Sequence, residues 1–173
     1  MEPSPARSSA AHLTLRLKKK TASAAVVTFA RADGTTTSGR LGHGDFGAMH
    51  DLTHYVVEST LRLRLGFFGM VADGWNIPDF EIKHASRQWP DEALAAECIV
   101  GQLSDAIFGE HELDATDFNW MVTQAIAGVR PGAKFRAIRA DELRAMKQRL
   151  DELLDRWRAL PAGETLELEF SLD

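Results

Sequence analysis

At 173 residues, with 45% hydrophobic and 26% charged residues, the chain has the make-up of a soluble globular protein, and wholesale disorder is excluded. A formal net charge of -5 and a pI of about 5.7 exclude a global basic footprint, so nucleic acid is not an expected partner. No apolar run reaches the roughly 18 residues of a membrane span, the lone Cys98 admits no internal disulfide, and the N-terminus lacks a secretory apolar core; a cytoplasmic location is expected.

Residues 1–10, rich in Pro, Ser and Ala, read as a disordered tail, and residues 11–173 as one α+β domain. Leu13, Leu15 and Leu17 alternate with Thr14, Arg16 and Lys18, the period of a half-buried strand. Ala24 to Arg31 reads as a second strand, Asp33-Gly34 as a hairpin turn, and Thr35 to Leu41 as a third strand. After a glycine-rich loop the period turns helical from Ala48 to about Leu65. The stretch GFFGMVADGWNIPDF, residues 66–80, reads as tight turns around Gly66, Gly69 and Gly74. Its aromatics, Phe67, Phe68, Trp75 and Phe80, suit either the core or an apolar pocket.

Pro90 and Asp91 start a helix that runs to about Phe108, and Asp114 or Thr116 caps another to about Gly128. Arg139 to Leu160 makes a long helix striped by Leu143, Met146, Leu150, Leu153, Trp157 and Leu160. Leu166, Leu168 and Phe170 alternate in a last strand, expected to pair with the first. The sum is an antiparallel sheet of about four strands, an N-terminal meander plus the C-terminal strand, with about four helices packed on it. The basic run Arg16 to Lys20 reads as a solvated strand end. Arg130, Lys134, Arg136 and Arg139 form a second basic cluster.

The chemistry concentrates at residues 50–54. His50 and His54 are four apart on a predicted helix, so both rings lie on one face at the spacing where two imidazoles grip one Zn²⁺. A third ligand is needed. Glu58 continues the stripe, but eight residues of helix rise about 12 Å, too far for one ion. It reads instead as an acceptor for the His54 Nδ1–H or as a salt-bridge partner. The next long helix offers Glu92 and Glu97. Glu97 is preferred, because its stripe of small residues (Ala93, Gly101, Ser104) lets two helices approach. His84, Glu81 and Asp79 in the connecting segment, and His43 before the first helix, are alternative ligands. His12 and His111 read as surface histidines, and Cys98 as a buried, inert thiol. No GxGxxG, Walker A or GxSxG pattern is present.

The sequence HDLTH at 50–54 resembles the HExxH signature of zinc metallopeptidases, with Asp51 where that family has Glu. The resemblance implies a zinc ion on His50 and His54, with Asp51 as the general base acting on a zinc-bound water. More broadly, the DG hairpin turn, HDLTHYVVE, GFFGMVADG and ECIVGQL, between about Ala32 and Leu103, with WRALPAGETLELEF near the end, resemble a set of small uncharacterised bacterial proteins. That likeness implies a shared fold and a central place for residues 50–58, and names no substrate.

The expectation is therefore a divalent-metal-binding protein, with Zn²⁺ as the cofactor. If catalytic, it is a hydrolase acting on a small molecule or peptide, Asp51 taking the proton. The alternative is a non-enzymatic structural or interaction protein. In it the His/Asp/Glu stripe is a buried polar network, and the long helix offers a face to a partner or to a second copy in a homodimer.

Overall fold

The computed structural model describes residues 12–42, 45–109 and 114–172; the expected tail at 1–10, and the candidates His43 and His111, lie outside them. Alternation builds the sheet. In β1 (His12–Thr21) and β2 (Ala24–Arg31), Leu13, Leu15, Leu17, Val27 and Phe29 all face inward. Register sets Leu15 opposite Phe29 on one side and opposite Leu168 on the other. β3 (Thr36–Leu41) and β4 (Thr165–Ser171) complete an antiparallel sheet in the order β3-β2-β1-β4, so the first and last strands pair as expected.

The opposite face of the sheet is polar. Arg16 pairs with Glu167 at 2.6 Å, and the Thr14 hydroxyl donates to Glu169 at 2.9 Å. Lys19 departs from the expected solvated strand end. It is buried, and its Nζ donates to the carbonyls of Trp157 (2.9 Å) and Arg158 (3.3 Å), closing the C-terminus of the last helix.

Among the described residues, six helices follow β3: α1 (Phe46–Leu61), α2 (Phe67–Ala72), α3 (Ile77–Glu81), α4 (Asp91–Phe108), α5 (Ala115–Val129) and α6 (Ala140–Ala159), with a 3₁₀ turn at Ala85–Gln88. α1 stops at Leu61 rather than Leu65, because Arg62 takes a left-handed conformation (φ 56°) and Leu63 turns into the core. The α6 stripe is spent within the chain: Leu143, Met146, Leu150, Leu153 and Trp157 are all buried, and α6 packs on α1. The second basic cluster is likewise engaged. Arg130 pairs with Asp91, Arg136 with Glu142, and Arg139 with Asp141.

The glycine-aromatic stretch forms two short helices, not turns alone. Its glycines serve close approach. A Cβ on Gly69 would collide with the Arg64 carbonyl, and one on Gly66 would collide with the Glu58 carboxylate. The sheet holds the far end of this stretch. Arg31, at the end of β2, donates to the carbonyls of Val71 and Trp75, each at 2.6 Å, and Ile77 N–H donates to Thr37 Oγ1 at 3.0 Å.

Candidate metal centre

Phe46, His50, His54 and Glu58 follow one another at four-residue steps along α1, so they share a face. Burial is graded along it. Phe46 is 55% exposed and the His50 side chain 36%, whereas His54 is at 2% and Glu58 at 0%. The stripe therefore opens at the start of α1 and closes beneath α2.

Glu58 has three donors in its dry setting. Oε1 accepts from His54 Nδ1 at 3.0 Å and from the Phe67 backbone N–H at 3.0 Å; Oε2 accepts from the Phe68 N–H at 2.9 Å. These two N–H groups begin α2 and have no partner of their own inside that helix. The hydrogen bond to Glu58 places the proton of His54 on Nδ1, which leaves Nε2 to face the other way.

Glu97, on α4, meets that side. Its Oε1 is 3.2 Å from His54 Nε2, and its Oε2 is 3.9 Å from His50 Nε2. The two imidazole centroids are 4.7 Å apart. The contact between His54 Nε2 and Glu97 is a charge contact without hydrogen-bond alignment, so Nε2 is a buried ring nitrogen with no hydrogen-bond partner. His50, His54 and Glu97 each offer one ligand atom, all within 4.8 Å of one another, and this group could hold a metal ion. Tetrahedral zinc with bonds near 2.0–2.2 Å sets its ligand atoms about 3.3–3.6 Å apart, so atoms within 4.8 Å of one another must draw together to hold it.

The charges fit a cation. Burial pulls the His54 pKa down, but the Glu58 hydrogen bond and the neighbouring Glu97 outweigh it and push it up to about 10. Burial pushes Glu58 up against the pull of His54 and the two backbone donors. Burial also acts to raise Glu97, but the contact and charge of His54, and then the charge of His50, hold it below the usual carboxylate range.

The remaining candidates lie elsewhere. Asp51 approaches His50 from the opposite side, with Oδ1 3.7 Å from Nδ1, the nitrogen that faces away from Glu97. Glu92 is occupied as the acceptor of the Leu65 backbone N–H. Asp79 accepts from the Asn76 N–H in the capping box of α3. His84 and Glu81 are exposed, outside the three-residue cluster. His12 is at the surface, 3.1 Å from Glu169. Cys98 is half-buried, and burial together with Glu97 pushes its thiol up, which keeps it protonated.

Glu97 is the residue the sequence favoured, but the small-residue stripe is not what delivers it. Gly101 is exposed, and a Cβ there would meet nothing within 4 Å. Of that stripe α4 buries only Ala93, and beside it Ala96, Ile99, Val100 and Leu103. Sequence reasoning missed the two α2 donors to Glu58, although Gly66, set directly before them, was a signal for a close approach. No protein family, curated protein or solved structure matches the chain.

Proposed function

We propose that the chain is a divalent-metal protein whose ion, Zn²⁺, is held by His50, His54 and Glu97. The observation that carries this reading is the buried Nε2 of His54, which has no hydrogen-bond partner and faces the Glu97 carboxylate at 3.2 Å, while Glu58 fixes the other nitrogen. Carboxylate–histidine–metal relays have this form, in which the second partner sets the tautomer and raises the basicity of the ligand nitrogen. Two histidines and one glutamate also match the protein ligand count of catalytic zinc sites, which keep a further position for water or substrate. The half-exposed His50 and Glu97 leave that position on the solvent side.

A hydrolytic role would draw on this donor set: His50, His54 and Glu97 would hold the ion, which would polarise a carbonyl and lower the pKa of a bound water. In this reading Asp51 orients His50 through Nδ1, as Glu58 orients His54, and takes a proton from the water only through a change of rotamer. The alternative, a metal-free polar network, draws on the ion pairs that His54 already makes with Glu58 and Glu97.

Metal content by plasma mass spectrometry decides between them, on untagged protein beside a His50→Ala/His54→Ala double variant. About one zinc per chain, lost in a folded double variant, supports the centre and opens hydrolase screens. Wild-type protein that carries no zinc and takes up none refutes it.

A further inference from the structure

The outer side of α5 carries no charge between its first turn and its end. The helix buries Phe118, Val122 and Ile126 at four-residue steps and packs on α4. The opposite side is turned to solvent. On it stand Trp120, Gln124, Ala127 and Gly128, all exposed, Trp120 at 66%. No charged residue occurs between Asp117 and Arg130.

α6 shows how this molecule treats a helix face that water covers. Its exposed positions include Asp141, Arg144, Lys147, Glu152, Asp155 and Arg158. Charge on the side away from the core is the ordinary pattern of a surface helix. α5 instead sets an indole into water, and the centres of protein interfaces are rich in Trp and poor in charge. Gly128 agrees with this. Glycine weakens a helix relative to alanine, yet a Cβ at Gly128 would meet nothing within 4 Å among the described residues. Nothing described in the chain itself calls for a missing side chain there.

The face is complementary to itself. When helices interlock, a side chain of one enters a hole formed by four residues of the other, at positions i, i+3, i+4 and i+7. Gln124, Ala127, Gly128 and Pro131 have that spacing, and the small residues at its centre leave room for an indole. Trp120 is the matching knob on the same face of the same helix. Two antiparallel copies of α5 therefore put each Trp120 into the hole of the other, as a twofold interface requires. Charge favours the same direction. Antiparallel packing sets the acidic start of α5, at Asp114 and Asp117, alongside the segment beyond the other helix that carries the exposed Lys134. In a chain of net charge -5, the uncharged middle lets two identical faces meet without repulsion.

We propose that the outer face of α5 is the interface of a homodimer. The two α5 helices pack antiparallel about a twofold axis beside Gln124, with Trp120 of each copy seated at Ala127 and Gly128 of the other. This pairing does not depend on the metal centre. The 15 residues of α5 span about 22 Å, so the contact is small and the dimer reversible.

Sedimentation velocity on the full-length protein, from about 1 µM to about 1 mM, is expected to show monomer passing into dimer. Trp120→Ala is expected to weaken the dimer at least ~30-fold, the effect of losing a central aromatic anchor. Gln124 meets its own copy at the axis. Gln124→Glu and Gln124→Lys each place like charges there and are expected to stay monomeric over the same range, whereas an equimolar mixture of the two recovers the dimer. All three substitutions fall at exposed positions, and circular dichroism checks that the fold is kept. A wild type that stays monomeric throughout overturns the pairing and leaves the face to another occupant. A dimer that survives Trp120→Ala, or a mixture that associates no better than either Gln124 variant alone, overturns it as well.

Discussion

Glu58→Gln tests the centre at its most buried point while keeping the volume of the side chain. The carboxylate accepts three hydrogen bonds through two oxygens. An amide can offer only one oxygen. If its NH₂ takes the place of Oε2, it meets the Phe68 N–H head-on. If it replaces Oε1, it meets the Phe67 N–H and turns His54 Nδ1 into an acceptor. The ring proton then moves to Nε2, and the ligand nitrogen is lost. Either arrangement strands at least one buried donor, at a cost of about 1–3 kcal/mol. For a chain of this length that lowers Tm by about 2–12 °C. Loss of the orienting partner weakens zinc by about 10–100-fold. Chelator competition and thermal unfolding followed by circular dichroism read the two effects separately. A Glu58→Gln protein that binds zinc like the wild type and melts with it would refute the proposed relay from α2 to the metal.

Four further outcomes follow from the same geometry. Glu97→Ala is expected to lose the zinc, whereas Glu92→Gln and His84→Ala keep it; the reverse order in a metal analysis would assign the wrong third ligand. Gly66→Ala pushes a methyl group into the Glu58 carboxylate, and Gly69→Ala pushes one into the Arg64 carbonyl. Overpacking costs each about 1–3 kcal/mol, and at matched stability only Gly66→Ala should also weaken zinc, as calorimetric titration would show. With the His54 pKa at about 10 in the metal-free protein, zinc must displace a proton there. At pH 8 His54 should release about one proton per ion, measured as the dependence of binding enthalpy on buffer. Glu142 accepts from Arg136 through both oxygens and from the Arg139 N–H, and the Arg136 hydrogen bond foremost lowers its pKa from 4.5. Its contribution is therefore present above pH 4.5 and lost as the pH falls through the lowered value. Glu142→Gln should cost about 1 kcal/mol at pH 7, an effect moderated by the half-exposed Arg136, and progressively less in urea unfolding as the pH falls below 4.5.

What the sequence made legible was local. The alternation in β1 and β4, the Asp33-Gly34 turn and the limits of α4 follow from period and from turn chemistry, and the sheet order follows from them. The spacing of His50 and His54 is also local, since one turn of helix determines it. Glu97 depends on where a second helix lands, and the stripe of small residues pointed to the residue that lies beside the two histidines while Gly101 stayed in solvent. The GFFG stretch was harder to read, because its glycines answer to Glu58 and Arg64 rather than to their own neighbours in the chain.

The gradient along α1 explains why one stripe can be both scaffold and site. A pair of charges sealed at the Glu58 end is costly to desolvate, and three donors are what make it tolerable. A ligand sealed at the His50 end would be unreachable. Four-residue steps carry the stripe from one condition to the other over about 18 Å of helix, twelve residues at 1.5 Å each. His54 sits at the change, with one nitrogen committed to the protein's interior and the other free for an ion. One turn toward Phe46, the imidazole of His50 stands eight residues from Glu58, about 12 Å along the helix and out of its reach; one turn the other way, the position belongs to Glu58 itself. The fold therefore leaves one position on α1 where an imidazole can join a buried carboxylate to an accessible metal, and His54 occupies it.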